Sequence, residues 1–183
     1  MTLRTPLRPK RCRVCREQYT PTKPLQKVCS PPCALSLAVS IRGKAEKREL
    51  VKAKERIKTR SQWQKEAQAA FNAWVRERDA KLPCISCGRL HEGQWHAGHF
   101  LSTGARPNLR FEPANVWRQC SPCNVHLSGN LINYRRSLVE RIGLAAVEAL
   151  EADHTPRHYS VEELRQIRDK YRKLAREIAR AVK

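Results

Sequence analysis

The sequence has no long apolar run. No stretch approaches the roughly 20 consecutive apolar residues that a membrane-spanning helix requires. The basic, proline-containing start, with Arg4, Arg8 and Pro9, has no apolar segment long enough for an export signal. These absences argue against a membrane protein and a secreted protein, and they predict a cytoplasmic protein whose thiols stay reduced.

Acidic residues are scarce: 17 Asp and Glu stand against 37 Lys and Arg, which gives a formal net charge of +20. Charge of this sign and size favours a polyanionic partner, most often nucleic acid. The basic excess is uneven, because residues 84–130 carry only four basic and two acidic residues. Attraction to a nucleic-acid backbone must therefore come largely from the segments on either side.

No cysteine is left over when the eight are grouped by spacing. They form two quartets, which are Cys12, Cys15, Cys29 and Cys33, and Cys84, Cys87, Cys120 and Cys123. A CxxC pair makes a tight knuckle with two thiolates, so two pairs are typical of a tetrahedral zinc site. A disulfide framework is the alternative, but a reducing compartment favours bound metal. We predict two structural zinc ions and no catalytic cysteine, because zinc quenches a thiolate as a nucleophile.

A mostly helical α+β fold is predicted, in four segments. Residues 1–33 form a basic arm and a four-cysteine zinc finger whose loop needs the metal to fold. Residues 34–82 lack proline and form a long basic helix, with Gly43 as the candidate break. Residues 83–130, punctuated by Gly and Pro, form short strands and turns held by the second zinc. Residues 131–183 form C-terminal helices.

The last predicted helix begins with a capping box, Ser160-x2-Glu163. Its apolar residues alternate at spacings of three and four, as in a coiled-coil seam: Leu164, Ile167, Tyr171, Leu174, Ile178 and Ala181. Such a seam packs within the chain or pairs with a second copy. We favour the dimer contact.

A histidine and two asparagines lie within or directly after the second quartet. Phosphodiester hydrolysis needs a base for the attacking water, a cation for the developing charge, and an acid or metal-bound water. His99 is the candidate base, and Asn115 is the candidate to fix its ring or the intervening loop. Asn124, directly after Cys123, offers an amide oxygen suited to Mg²⁺ or Mn²⁺.

The pattern GHF…NVWRQCSPCN resembles the ββα-metal (HNH) nucleases, in which zinc often staples the ends of the motif. The longer segment QWHAGHF…LVERIG, residues 94–143, is similar to the NinG family of phage lambda, whose lambda member is the Rap recombination endonuclease. The N-terminal cysteine quartet and HYSVEEL fit the same family. The resemblance implies a phage-encoded, divalent-metal endonuclease that acts in the bacterial cytoplasm on recombination intermediates, including Holliday junctions and D-loops.

The resemblance assigns roles to individual residues. By this resemblance, His99 takes the position of the general base and Asn115 takes the position of the central asparagine of the His-Asn-His motif. Asn124 takes the position on the helix that is His in many HNH enzymes. The residue before the base is commonly an Asp or His metal ligand, and here it is Gly98. His96 is the candidate replacement, but strand positions three apart face opposite ways, so it needs a bulge at Gly98.

Each of these side chains also has a simpler structural use. Asn115 could form an Asx-turn after Pro113. Asn124 could cap the backbone at the start of a helix. His96 could hydrogen-bond a neighbour.

Three basic side chains are candidate DNA contacts. Arg110 could clamp the scissile phosphate, with a surface salt bridge as the alternative. Arg106 is another of the few positive charges inside the motif. His126 points away from Asn124 on a helix, which predicts a DNA contact or a surface residue.

Two classes of function follow. The first is a structure-selective endonuclease that reads DNA shape through phosphate contacts. It would act as a homodimer, because two nicks across a junction are most simply made by two subunits. The second is a non-enzymatic zinc-finger nucleic-acid-binding protein, which explains the charge and the cysteines but leaves the His–Asn–Asn pattern as coincidence. A sequence-specific homing-type HNH nuclease is a variant of the first class.

Overall fold

The structure is a computed structural model that describes residues 7–181 of the chain. The start of the predicted basic arm, residues 1–6, lies outside the described residues. The fold is mostly helical α+β, with two sheets of two strands each among the described residues. No helix in this part of the chain is long and apolar enough to cross a membrane. The chain divides into two compact units, Met1–Lys58 and Thr59–Lys183.

The first unit consists of a small hairpin and a long helix. Strands β1 (Lys10–Arg11) and β2 (Gln18–Tyr19) pair antiparallel, and helix α1 spans Pro31–Arg56. Side-chain hydrogen bonds order the loop between them: the Tyr19 hydroxyl donates to the Gln26 carbonyl at 2.8 Å. Pro31 occupies the first turn of α1, where its missing N–H has no partner to lose.

Helix α1 runs through Gly43 without a break, so the predicted break there is wrong. A single glycine costs only about 1 kcal/mol in a helix, which the strong helix formers around it offset. The interruption instead falls at Thr59, where the side chain accepts from Gln62 N while the Gln62 side chain accepts from Thr59 N. This capping box starts helix α2 (Arg60–Arg78), so the predicted helix over 34–82 is two helices.

In the second unit, α2 packs along helix α5 (Val161–Ala181). The Phe71 and Tyr171 rings meet edge to face at 4.7 Å, and most of the predicted seam joins this core: Leu164, Ile167, Tyr171 and Leu174. Leu164 and Tyr171 are buried within the chain, and Ile167 and Leu174 are partly buried against the same core, so the structure uses this part of the seam for packing within the chain. The spacing of three and four correctly predicted the apolar face of this helix, but spacing alone does not reveal which helix packs against that face.

The remaining elements surround a second core. Strands β3 (Trp95–His99) and β4 (Val116–Cys120) pair antiparallel, and helices α3 (Leu131–Ile142) and α4 (Leu144–Ala152) pack beside them. Between β4 and α3 lies a π-helical turn, Pro122–His126.

A buried carboxylate joins α2 to β4. Asp79 is buried and accepts hydrogen bonds from the Arg78 guanidinium and from Arg118 N at 3.0 Å. Arg78 also donates to the Val116 carbonyl at 2.8 Å and lies over the Trp117 ring. Because its charge and hydrogen bonds are satisfied, this polar cluster fixes the position of the strands at little cost in desolvation.

Candidate metal centres and active-site cleft

The sulfur atoms of Cys84, Cys87, Cys120 and Cys123 lie within 4.8 Å of one another, so this cluster could hold one metal ion. Cys120 ends β4 and Cys123 lies in the π-helical turn, whereas Cys84 and Cys87 come from the loop after α2. Four thiols and no carboxylate form a donor set that suits a structural zinc. The cluster therefore connects both ends of the β3–β4 region.

Hydrogen bonds from N–H donors favour the thiolate form of Cys84, the form in which cysteine binds zinc. Cys120 N donates to Cys84 Sγ at 3.4 Å. The pKa of Cys84 lies below its ordinary value: burial acts to raise it, but N–H groups of Cys120, Cys87 and Ser86 lower it. The same kind of contact occurs at Cys123, whose Sγ accepts from Asn130 Nδ2 at 3.6 Å.

The second cluster belongs to the N-terminal unit. Its four sulfur atoms also lie within 4.8 Å of one another: Cys12, Cys15, Cys29 and Cys33. Val14 N donates to Cys12 Sγ at 3.4 Å, as expected for a zinc knuckle. Both cysteine quartets predicted from spacing are therefore assembled in space.

A histidine that the sequence patterns did not single out contacts the cluster of Cys84, Cys87, Cys120 and Cys123. His91 Nε2 lies 3.1 Å from Cys87 Sγ, and the His91 ring packs against Trp95. Such an N–H···S contact orients a metal ligand and tunes its basicity. The available signal was the Cys87-x3-His91 spacing, which the complete cysteine quartet concealed.

His99 lies at the end of β3, and its Nε2 is 3.0 Å from the Arg110 carbonyl oxygen. A carbonyl can only accept, so Nε2 carries the hydrogen and Nδ1 keeps its lone pair. Burial lowers the pKa of His99, which favours the neutral ring. The geometry thus gives a histidine whose Nδ1 can accept a proton.

Asn115 is fully buried and holds the loop that follows β3. Its Oδ1 accepts from Leu101 N at 2.9 Å, and its Nδ2 donates to the carbonyls of Leu101 and Leu109 at 3.0 and 3.2 Å. No hydrogen bond joins its side chain to His99 among those of the described residues. Asn115 therefore positions the loop leading to the Arg110 carbonyl, and the structure does not use it in an Asx-turn.

The structure brings His99 and Asn124 to one cleft of about 500 Å³. Asn124 comes from the π-helical turn, and Leu131, the first residue of α3, closes the cleft on that side. The helix N-terminus next to this cleft favours a phosphate, because its first N–H groups lack partners within the helix. Two of the three residues predicted to carry the chemistry thus share a solvent-accessible site.

His96 lies elsewhere. Strands β3 and β4 pair one to one from Trp95 with Cys120 to His99 with Val116, so the predicted bulge at Gly98 is absent. His96 and His99 therefore face opposite sides of the sheet. His96 is not among the residues that line the cleft, and its buried Nε2 has no hydrogen-bond partner within the described part of the chain.

Gly98 has a structural reason to lack a side chain. A β-carbon at this position would overlap Gln119 Oε1 and lie 3.0 Å from Gln119 Cβ. Gln119 is fully buried and held by hydrogen bonds from its Nε2 to Ser86 Oγ and to the Gly129 carbonyl at 2.6 and 2.5 Å. The carboxamide of Gln119 thus fills the space of the expected ligand.

Tyr134 connects both strands to α3, a role that no sequence pattern indicated. Its buried hydroxyl donates to the Gly98 carbonyl at 2.8 Å and accepts from Trp117 N at 3.1 Å. Burial raises its pKa, so the hydroxyl keeps its proton. In the sequence it is only one apolar position of an amphipathic helix.

The three predicted DNA contacts do not line the cleft. Arg110 donates from Nη1 to Gln68 Oε1 at 3.2 Å, and burial lowers its pKa. Arg106 Nη2 lies 3.0 Å from His154 Nε2. His126 is exposed on the π-helical turn. For Arg110, the backbone carbonyl contacts the candidate base, whereas the guanidinium is held against α2.

The matches to known proteins cover nearly the whole chain. The family described as Bacteriophage Lambda NinG protein matches residues 4–181. Protein ninG of Salmonella phage P22 is 43% identical over 183 residues, covering 90% of each chain. Protein ninG of Escherichia phage lambda is 41% identical over 183 residues, covering 90% of this chain and 89% of the relative. No solved structure matches significantly. The chain therefore belongs to the NinG family of bacteriophage proteins.

Proposed function

We propose that the protein is an HNH-type endonuclease that hydrolyses phosphodiesters in branched DNA, as the resemblance to the Rap recombination endonuclease implies. The observation that carries this proposal is the shared cleft of His99 and Asn124, in which His99 has its Nε2 bound to a carbonyl and its Nδ1 free to accept a proton. A partly buried histidine of fixed tautomer that shares a cleft with a hard oxygen ligand offers the base and the cation ligand that metal-assisted hydrolysis requires.

In this mechanism His99 Nδ1 removes a proton from the attacking water. Asn115 holds the loop so that the Arg110 carbonyl keeps the His99 ring in place. Asn124 would hold Mg²⁺ or Mn²⁺ through its amide oxygen, with water and substrate phosphate as the other ligands. When bound, this cation would supply the positive charge that stabilises negative charge developing on the phosphate oxygens. His96, on the other face of β3, is outside this set of ligands.

The donor set of the cleft fits a weakly held divalent ion. The residues that line it include one amide and several hydroxyl groups but no carboxylate: Asn124, Ser102, Thr103 and Ser128. Mg²⁺ keeps several waters and commonly relies on substrate phosphates, so such a site would fill together with the DNA. The two cysteine clusters would keep their zinc throughout and take no part in the chemistry.

Charge supports DNA as the substrate. The chain carries a formal net charge of +20, and helix α1 exposes many lysines and arginines with no buried residue. Phosphate contacts of this kind report shape more than sequence. Because paired nicks across a junction need two active sites, we further propose a homodimer.

Cleavage of defined DNA substrates tests the proposal. Zinc-loaded protein is incubated with a four-way junction, a splayed duplex and a linear duplex, with Mg²⁺, with Mn²⁺ or without either ion. His99→Ala is expected to lose cleavage by at least about 100-fold, the usual contribution of a general base. His158→Ala, at an exposed histidine outside the cleft, is the matched control.

The outcomes separate the alternatives. Junction cleavage that needs the divalent ion and His99 supports the proposal. Binding with no metal-dependent cleavage of any substrate would leave a non-enzymatic zinc-finger nucleic-acid-binding protein. Cleavage of the linear duplex at one sequence, as fast as any junction, would indicate a homing-type nuclease.

A further inference from the structure

A second, larger depression opens beside the cleft. It has a volume of about 680 Å³ and runs along one stripe of α3, from Leu131 to Glu140, closed by Phe100 and Leu144. Its rim is apolar and open to solvent: Ile132 is 82% exposed, and Leu131 and Leu144 are about half exposed at 49% and 50%. Contiguous exposed apolar surface on a highly charged chain indicates a binding site. We call this depression the α3 groove.

The α3 groove continues the active-site cleft. Phe100 and Leu131 line both, so a ligand that fills the cleft meets the groove at the start of α3. Between the cleft and α3 the chain makes a tight turn in which Ser128, Gly129 and Asn130 all have positive φ. The turn joins the π-helical segment that carries Asn124 to the first turn of α3, which carries Ile132.

The charges of the groove favour a polyanion. Arg136, one helical turn before Glu140, is exposed, and its side chain has no hydrogen-bond or ion-pair partner among residues 7–181. Arg135 is neutralised by Glu151, with hydrogen bonds of 2.7 and 2.9 Å. The groove's own carboxylate, Glu140, lies nine residues beyond Leu131, or about 13 Å along the helix. A second copy of this strongly basic chain would bring more positive charge to Arg136, and this like-charge repulsion disfavours it as the occupant of the groove.

We propose that the α3 groove receives an unstacked base at the branch point of DNA, with Ile132 as the wedge that separates it from its neighbour. The proposal rests on the function proposed above and deepens it, because it gives the source of selectivity for branched substrates. In a continuous duplex the apolar faces of the bases are covered by stacking. At a branch point they are available, and apolar side chains of proteins insert there.

The test uses a fluorescent base. 2-Aminopurine is placed at the branch point of a four-way junction, and in a second junction in the middle of one arm. Zinc-loaded protein is added without Mg²⁺ or Mn²⁺. Fluorescence is expected to rise at the branch point only, because unstacking removes quenching. The double variant Ile132→Ser/Leu144→Ser should abolish the rise and weaken junction binding roughly 10-fold, the value of about one base stack. Binding to the linear duplex should not change.

Two control variants test whether the loss comes from the groove and not from unfolding. Ile132→Ala alone changes a side chain that is 82% exposed, so the fold should be kept and part of the loss should appear. Leu90→Ser alters another exposed leucine, which does not line the groove, and should leave both readouts at the wild-type level. Zinc content and thermal unfolding are measured for every variant.

An unchanged fluorescence rise and junction preference in both groove variants would overturn the assignment. It would also be overturned if the variants turned a dimer into a monomer and lowered binding to every DNA equally, because a second copy would then be the occupant. Cleavage is scored separately: loss of the endonuclease with the rise intact removes the proposed reaction only. Cleavage without any rise removes the groove assignment only.

Discussion

Gln119 reaches across from β4 and covers Gly98, so that no β-carbon fits at residue 98 without displacing it. The place before the candidate base, where the resemblance to HNH nucleases leads us to expect a metal ligand, is therefore filled from the neighbouring strand. Gln119 is itself fixed by Ser86 and Gly129. The lack of a side chain at residue 98 is a consequence of packing, so within the proposed mechanism Asn124 is the ligand that the protein would offer to a divalent ion.

We expect Gly98→Ala to lower the free energy of unfolding by about 1–3 kcal/mol, the usual cost of overpacking a core. Gly98→Ala/Gln119→Ala should cost less than the sum of the two single changes, because the overlap exists only when both side chains are present. Thermal and urea unfolding measure both. Gly104→Ala, at an exposed glycine with no tight contact, is the control and should be near neutral. Equal stability of Gly98→Ala and Gly104→Ala would contradict the contact.

The hydrogen bonds of Asn115 predict a specific defect. Asn115→Ala leaves buried N–H and carbonyl groups of the loop unsatisfied, at a cost of about 1–3 kcal/mol for each group. Exchange of the Leu101 amide hydrogen, which is bonded to Asn115 Oδ1, should accelerate strongly. Cleavage should fall through loss of the His99 position, while DNA binding persists.

Asn133→Ala is the matched control for this experiment, because Asn133 is exposed on α3. Unchanged exchange at Leu101 in Asn115→Ala would show that the loop is held by other contacts. A loss of DNA binding as large as the loss of cleavage would show that Asn115 supports more than the loop.

The pKa of His99 gives a prediction about pH. Burial holds it below the ordinary 6.5, so in the zinc-loaded, Mg²⁺-free protein the ring should stay neutral at pH 6.5 and titrate at lower pH. Since the unfolded chain binds the proton more readily, His99 should destabilise the fold as the pH falls below 6.5. NMR titration of the His99 ring checks this, with the 6.5 of an ordinary histidine as the reference. A His99 midpoint at or above 6.5 would contradict the burial argument.

Local patterns predicted part of this molecule well. The cysteine spacings, CxxC and CxxxC, predicted both clusters because each knuckle is made by neighbouring residues. The amphipathic period predicted α5. The helix break escaped prediction although its capping box, Thr59 and Gln62, was present in the sequence. Gly43 was the weaker signal, because a lone glycine is tolerated within a helix at a small cost.

Contacts between distant residues could not be predicted from such patterns. The register that sets Gln119 over Gly98 depends on the pairing of β3 with β4, and Tyr134 reaches the same strands from α3. The role of the Arg110 carbonyl was hidden for a further reason, because a backbone group leaves no trace in residue identity. Of the predicted site residues, His99 and Asn124 share the cleft and His96 does not, and only the structure reveals the contacts that position them.

Replacement of single cysteines should show which unit each metal cluster stabilises. Cys84→Ser and Cys12→Ser are each expected to reduce the zinc content from two ions to one, measured by elemental analysis. Cys84→Ser should also loosen the β3–β4 region and abolish cleavage, because its cluster joins the end of β4 to the loop after α2. Cys12→Ser should leave the unfolding of unit Thr59–Lys183 nearly unchanged, because that unit has its own core. Near-equal destabilisation of that unit by both substitutions would show that the N-terminal metal supports the whole chain.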